Sequence, residues 1–378
     1  MYTQYWIYPW TKFRKAEVVR VPAEYDIHPD FLQGFDESEI RSTFAELNRL
    51  YLEIFDGIME VPDEFGMPLY EIEKYRWFST EWRDSGTAPF RPFILLYNLL
   101  ISGEMNNDEL HVSIDKYGNI KSAPRNLSGS TMKVRQAHFL FERLMDYGFV
   151  FEGLKNNKTT NENIIISYPD NVILLRLMKR LADKANNMGR LFDFLRCTFR
   201  LLADDIHTIN YECVEETADN LHTEWEKDFV YQMDNVLTST GLFRKLYGGY
   251  EGPGIGYYRS EKVMNSAGPT SFHVHSRDAQ IQNLSEENLT LSLRIRNVPN
   301  CLTYLESCPD SVKRIFTDYN DEGCGRNLDG SCKHGISYEI NKTNYWRCAC
   351  CGSGFRFKPC LEDIEHYLKL VELGEKKK

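Results

Sequence analysis

TMKVRQAHFLFERLMDYGFVFEGLKNNKTTNENIII, residues 131–166, carries two different periodicities in one short stretch. From Thr131 to Tyr147 the residues Val134, His138, Phe141 and Met145 recur at intervals of three and four, the spacing of one buried helical face. That leaves Lys133, Arg135, Gln136 and Arg143 largely on the solvent side. Phe149-Val150-Phe151 and Ile164-Ile165-Ile166 then read as two strands, joined by a polar loop that contains Lys155 and Lys158. A helix running directly into a hairpin points to the α+β class.

The same alternation of helix and strand extends outward. Pro92 suits the first turn of a helix that runs through Ile101 and stops at Gly103. Leu110–Ile114 and Asn119–Ala123 flank Asp115-Lys116-Tyr117-Gly118 and read as a hairpin, and Asp170 opens a helix through Leu174, Leu177 and Leu181 that ends near Gly189. Residues 90–189 therefore form one expected domain. Its 131–166 region resembles the recognition helix and wing of a winged-helix domain, although the family has a second helix where this chain reads as the hairpin 110–123. The resemblance implies that Lys133, Arg135, Gln136 and Arg143 read or position DNA while Lys155 and Lys158 hold phosphates. Winged folds also serve as protein-contact modules, and that partner stays open.

Upstream, residues 1–89 begin with strand-like aromatic text, Gln4–Trp10 and Ala16–Val21. They continue into a helix whose apolar residues Phe44, Leu47, Leu50, Tyr51, Ile54, Phe55 and Ile58 lie on one face. Downstream, residues 190–320 read as helices (191–202, 212–237), a glycine-rich stretch and strands, and residues 321–378 as a cysteine-rich module ending in a helix. Four regions suit a chain of 378 residues and 44.2 kDa.

The formal charge of −10 argues against a protein that coats nucleic acid through its overall field. The charge is polarised: residues 131–200 hold 12 Lys and Arg against 7 Asp and Glu, whereas residues 201–240 hold Lys227 against ten acids. Two solvated surfaces of opposite sign are the plain reading of that contrast. The longest apolar run, Phe93–Ile101, is far shorter than the roughly 20 residues that span a bilayer, and the start lacks the pattern of a secretory signal. The expectation is a cytoplasmic protein with no membrane partner.

Ten cysteines are distributed unevenly, with eight of them between Cys301 and Cys360. In a reducing compartment such clustering suggests metal binding more than a disulfide framework. Cys348-Ala349-Cys350-Cys351-Gly352 offers the turn that sets two thiolates on one side of a zinc ion, and Cys324 and Cys332 stand upstream of the strand pair GISYEI and NYWRC. With a two-residue turn at Lys342-Thr343, His334 falls opposite Cys351. Segment 324–352 resembles a zinc ribbon, especially where a Tyr-Trp strand enters Cys-x-x-Cys-Gly. Seven residues separate Cys324 from Cys332 where the family has two. The resemblance implies one structural zinc held by Cys324, Cys332, Cys348 and Cys351, with His334, Cys350 or Cys360 as substitutes.

Other motifs are weaker. His273-Val274-His275 sets two imidazole-bearing positions on one face of a strand, which would suit a metal or proton transfer. The glycines 248, 249, 252, 254 and 256 lack the lysine and hydroxyl of a phosphate loop. Glu215, Glu216, Glu224 and Glu226 read as a solvated acidic face, and Cys197 and Cys213 lack a catalytic partner in sequence. The expected function is a non-enzymatic, zinc-containing binding protein that contacts DNA through 131–166. The alternatives are a metal-dependent enzyme centred on His273 and His275, and a scaffold or oligomerisation protein.

Overall fold

Helix and strand are mixed throughout the computed structural model, which describes residues 2–18, 21–75, 79–113, 137–155, 158–159, 163–203, 214–215, 217–218, 221, 223–247, 254–265, 272–275, 289–295, 297–318, 335–348 and 355–375. The chain separates into two units, Met1–His207 and Thr208–Lys378, each with its own apolar core.

The first unit opens with α1 (Ile7–Ala16), where the aromatic text had suggested a strand. Trp6, Trp10 and Phe13 are buried at four- and three-residue spacing, so the helical period decides against the strand preference of their side chains. Pro9 sits in the first turn, where no intrahelical donor is lost. Next comes α2 (Glu37–Glu60), started by a capping box of Asp36 and Glu39, which buries the expected stripe from Phe44 to Ile58. Helices α3 (Thr80–Thr87) and α4 (Arg91–Ser102) follow, and Tyr51 of α2 stacks on Phe93 of α4 at 4.2 Å. Gly103 ends α4 as expected, with its N–H bonded to the Leu99 carbonyl.

Strands β1 (Glu104–Asn106) and β2 (Glu109–Ser113) precede α5 (Ala137–Asp146), and β3 (Val150–Glu152) and β4 (Asn163–Ser167) follow it. They form an antiparallel sheet in the order β1-β2-β4-β3. β2 turns back onto β1 and pairs forward with β4, with Val112 opposite Ile164, while residues 114–123 of the expected hairpin 110–123 lie outside the described residues. The left-handed Asn107 (φ 54°) makes the tight β1–β2 connection. Helix α6 (Val172–Met188) is capped by Asn171 and closed by the left-handed Gly189 (φ 67°). The helix expected over 191–202 is interrupted: α7 (Leu191–Leu195) gives way at Cys197 (φ 49°) to a short 3₁₀ turn, Phe199–Leu201. One core draws on Phe44, Phe93, Leu177 and Leu195 alike.

In the second unit α8 (Glu224–Ser239) begins at a Thr223–Glu226 capping box. The strands are β5 (Phe243–Tyr247), β6 (Gly254–Tyr258), β7 (Phe272–His275), β8 (Thr290–Leu293), β9 (Gly335–Ile340), β10 (Thr343–Cys348) and β11 (Phe355–Phe357). Five of them form an antiparallel sheet in the order β11-β8-β7-β6-β5, and β9 and β10 form a separate hairpin. The short α9 (Glu261–Asn265) lies after β6, and α10 (Leu302–Glu306), α11 (Asp310–Thr317) and α12 (Ile364–Glu375) follow, with 3₁₀ turns at Val298–Cys301 and Leu361–Asp363. Phe229, Val230, Met233 and Leu237 of α8 meet Ile255, Tyr257, Phe272, Val274, Leu291 and Leu293 of the sheet in one core.

Candidate functional site

Helix α5 and the hairpin after it are joined without slack. Gly148, at φ 91°, donates its N–H to the Met145 carbonyl (3.1 Å), and Phe149 N–H reaches the Leu144 carbonyl (3.2 Å), so the helix ends and β3 begins within one turn. Leu140, Phe141 and Leu144 form the buried face, and Phe141 meets Phe151 of β3 edge to face at 4.9 Å. Met145, expected on that face, is 47% exposed, because the buried stripe runs through Leu144 instead. Beyond β3 the chain makes a two-residue ladder in which Leu154 pairs with Thr159 and Lys155 with Lys158. Two lysine positions thus stand directly opposite each other near the hairpin tip. Arg143 is engaged by Glu64 and by Asp146, the latter at 3.3 Å. Lys133, Arg135 and Gln136 lie outside the described residues.

The cysteine hairpin has a register two positions away from the expected one. Its turn is Asn341-Lys342, both left-handed at φ 50° and 65°, which is the turn that matches the natural strand twist. Ile340 therefore faces Thr343, and Gly335 faces Cys348 at the open end. The expected Lys342-Thr343 turn, and the pairing of His334 with Cys351 derived from it, are corrected accordingly. Cys324, Cys332, His334, Cys350 and Cys351 lie outside the described residues. Cys360 is exposed and donates to Glu362 Oε2 at 2.6 Å, a bond that raises the thiol above its ordinary range. Among the described residues no three His, Cys, Asp or Glu side chains converge as metal ligands.

Two further cysteines belong to the core. Cys301 donates to the Leu370 carbonyl at 3.4 Å, and burial pushes its thiol up to about 12. Cys308 Sγ lies 3.7 Å from His366 Nδ1, which is also 2.8 Å from the Tyr304 hydroxyl. His273 and His275 occupy β7, an interior strand, alternating with the buried Phe272 and Val274. Of the glycine-rich stretch, Gly254 and Gly256 are part of β6. Glu226 departs from the solvated acidic face expected for it. It is buried, with Oε1 accepting from Leu289 N–H (2.8 Å) and Oε2 from the Thr223 hydroxyl (2.8 Å).

Sequence reading missed a buried ion network in the first unit. Arg14 Nη1 meets Glu17 Oε2 at 2.7 Å, and Arg196 Nη2 meets Glu17 Oε1 at 3.1 Å, with all three residues buried. The Arg14 guanidinium also lies near the rings of Trp10, Phe13 and Phe90, and its Nε donates to the Gly86 carbonyl. Close by in sequence, Asp193 pairs with Arg190; burial pushes the Asp193 carboxyl up against the opposing pull of Arg190, Arg196 and Arg200. The run of charges at 190, 193, 196 and 200 inside apolar text was the available signal. This network fastens α1 to the segment after α7, and its chemistry is that of an internal tie.

Among the described residues no helix is long and apolar enough to cross a membrane. No protein-family model, curated protein or solved structure matches this chain.

Proposed function

We propose that the protein is a non-enzymatic binding protein that contacts DNA through the helix and hairpin of its first unit and carries one structural zinc ion in its second. The observation that carries the DNA reading is the register of Lys155 against Lys158. Like charges directly opposite on a ladder oppose each other, so a pair of this kind favours the presence of an anion. A sheet order that places β4 between β2 and β3, directly after α5, supports the use of that hairpin as a wing. Arg143 makes a secondary contribution at most, since Glu64 and Asp146 offset its charge.

The zinc reading draws support from the cysteine hairpin. Gly335 stands opposite Cys348 at the open end of that hairpin. Cys324, Cys332, Cys348 and Cys351 together would offer a soft, all-thiolate donor set of the kind that suits a structural zinc ion. The ion would stiffen the open end of a hairpin whose other end is held by its turn.

Fluorescence anisotropy with mixed-sequence duplex DNA at two salt concentrations tests the first part. Binding should weaken steeply with salt, and the double variant Lys155→Glu/Lys158→Glu should lose at least about tenfold in affinity and flatten the salt slope by about two. Salt-insensitive binding, or a double variant that binds as the wild type does, removes the DNA reading.

A further inference from the structure

We infer that Cys308 is a site of reversible oxidation, at which a small hydroperoxide converts the thiol to a sulfenic acid with His366 and Tyr304 as proton carriers. Three separate pieces of chain build the cluster. Tyr304 belongs to α10, Cys308 sits on the connection from α10 to α11, and His366 belongs to α12. They meet at His366 Nδ1, which is 2.8 Å from the Tyr304 hydroxyl and 3.7 Å from Cys308 Sγ. The thiol also has the Tyr304 carbonyl as an acceptor at 3.4 Å. Its one proton thus has two acceptors, and of these the imidazole is the base that can carry it away.

The surroundings separate this thiol from its neighbours. Cys301 donates to the Leu370 carbonyl, Cys197 is buried with its thiol pushed up by that burial, and Cys360 is exposed and donates to a carboxylate. Of these four, Cys308 is the one with an imidazole within hydrogen-bond distance. Its own exposure is 3%, whereas Tyr304 and His366 are half-buried, so the sulfur is sheltered and its proton carriers reach the surface. That arrangement admits only a small electrophile. Burial, followed by the charge of Asp363, raises the thiol against the pull of Lys313. The sulfur therefore rests protonated and reacts where its proton is removed in the same step.

The step balances within the cluster. Sulfur attacks one peroxide oxygen, so that an S–O bond forms while the O–O bond breaks. The thiol proton passes to His366 Nδ1, the Tyr304 hydroxyl gives its proton to the departing oxygen, and Nδ1–H restores the tyrosine. With hydrogen peroxide, one thiol and one peroxide become one sulfenic acid and one water, sulfur being oxidised and the peroxide reduced. A thiol reductant then returns the cysteine through a mixed disulfide. None of these residues takes part in the DNA or zinc readings.

The test is to expose the full-length protein to hydrogen peroxide, quench portions by unfolding in dimedone, and map the labelled cysteines by peptide mass spectrometry. Cys308 should be labelled at least about tenfold faster than Cys301 or Cys197. His366→Gln should slow it by about tenfold or more, and Tyr304→Phe severalfold, with Cys301 still protected as the sign of an intact fold. Tyr304→Phe serves if His366→Gln fails to fold. The inference is overturned if Cys308 oxidises no faster than Cys301, or if its rate is undiminished in a folded His366→Gln or Tyr304→Phe variant. It is equally overturned if native Cys308 reacts with a bulky maleimide as fast as Cys360 does, since that would mark an ordinary open thiol.

Discussion

A carboxylate enclosed by two guanidinium groups has no water to replace a lost partner, and Glu17 is in that position between Arg14 and Arg196. Glu17→Gln leaves both arginines buried with a neutral amide between them. It should cost about 3–5 kcal/mol of stability, read as a lower urea midpoint for the first unit. A midpoint unchanged within error would show that the network contributes nothing there. The contact joins residues 179 positions apart, so the charges set in apolar text at 190–200 mark one end of it while nothing local names Glu17 as the partner. Glu226 was hidden for a related reason. Its acidic neighbours suggested a wet surface, but the tertiary fold draws this one carboxylate inward to cap α8 and to receive the N–H of Leu289, the residue before β8.

Elements were more legible than contacts wherever one period ran long enough. The stripe from Phe44 to Ile58 follows from spacing, the stop at Gly103 from its glycine, and the strands β2 and β4 from alternating and β-branched text. Short aromatic text was ambiguous, and α1 emerged from it because Trp6, Trp10 and Phe13 gain burial only on a helix. The cysteine hairpin was recognisable, yet its register was not, because two adjacent two-residue turns were available. Asn341 and Lys342, both left-handed, decide between them. Of the candidate site, the helix, the strands 149–151 and 164–166 and the lysine-bearing loop between them were legible, while the pairing of Lys155 with Lys158 required the fold. The helices around Cys301 carry a prediction of their own. Its folded thiol is raised to about 12, whereas an unfolded chain releases that proton near its ordinary range. The folded form therefore holds the proton more tightly, so the contribution is intact below about pH 9 and is lost as pH rises toward 12. Tyr97, raised to about 12 chiefly by burial, acts in the same direction in the first unit. Denaturation midpoints should fall steeply through this alkaline range, and Cys301→Ala should flatten the fall for the second unit.

At the level of the molecule, two units with separate cores imply two unfolding transitions instead of one. Calorimetry with and without a chelator joins this to the zinc proposal. Metal analysis should find about one zinc per chain, and the chelator should lower the transition of the 208–378 unit while leaving that of 1–207 in place. Two transitions indifferent to chelator would return the cysteines to ordinary thiols. Separate cores also determine what a damaging substitution looks like to a cell. A charge introduced at Leu291 would ruin the second core and leave the first intact, so quality control would meet a half-folded molecule with one working end. On the proposed function such a chain would still occupy DNA while lacking a folded second unit, and it would act as a competitor of the normal protein instead of simply disappearing.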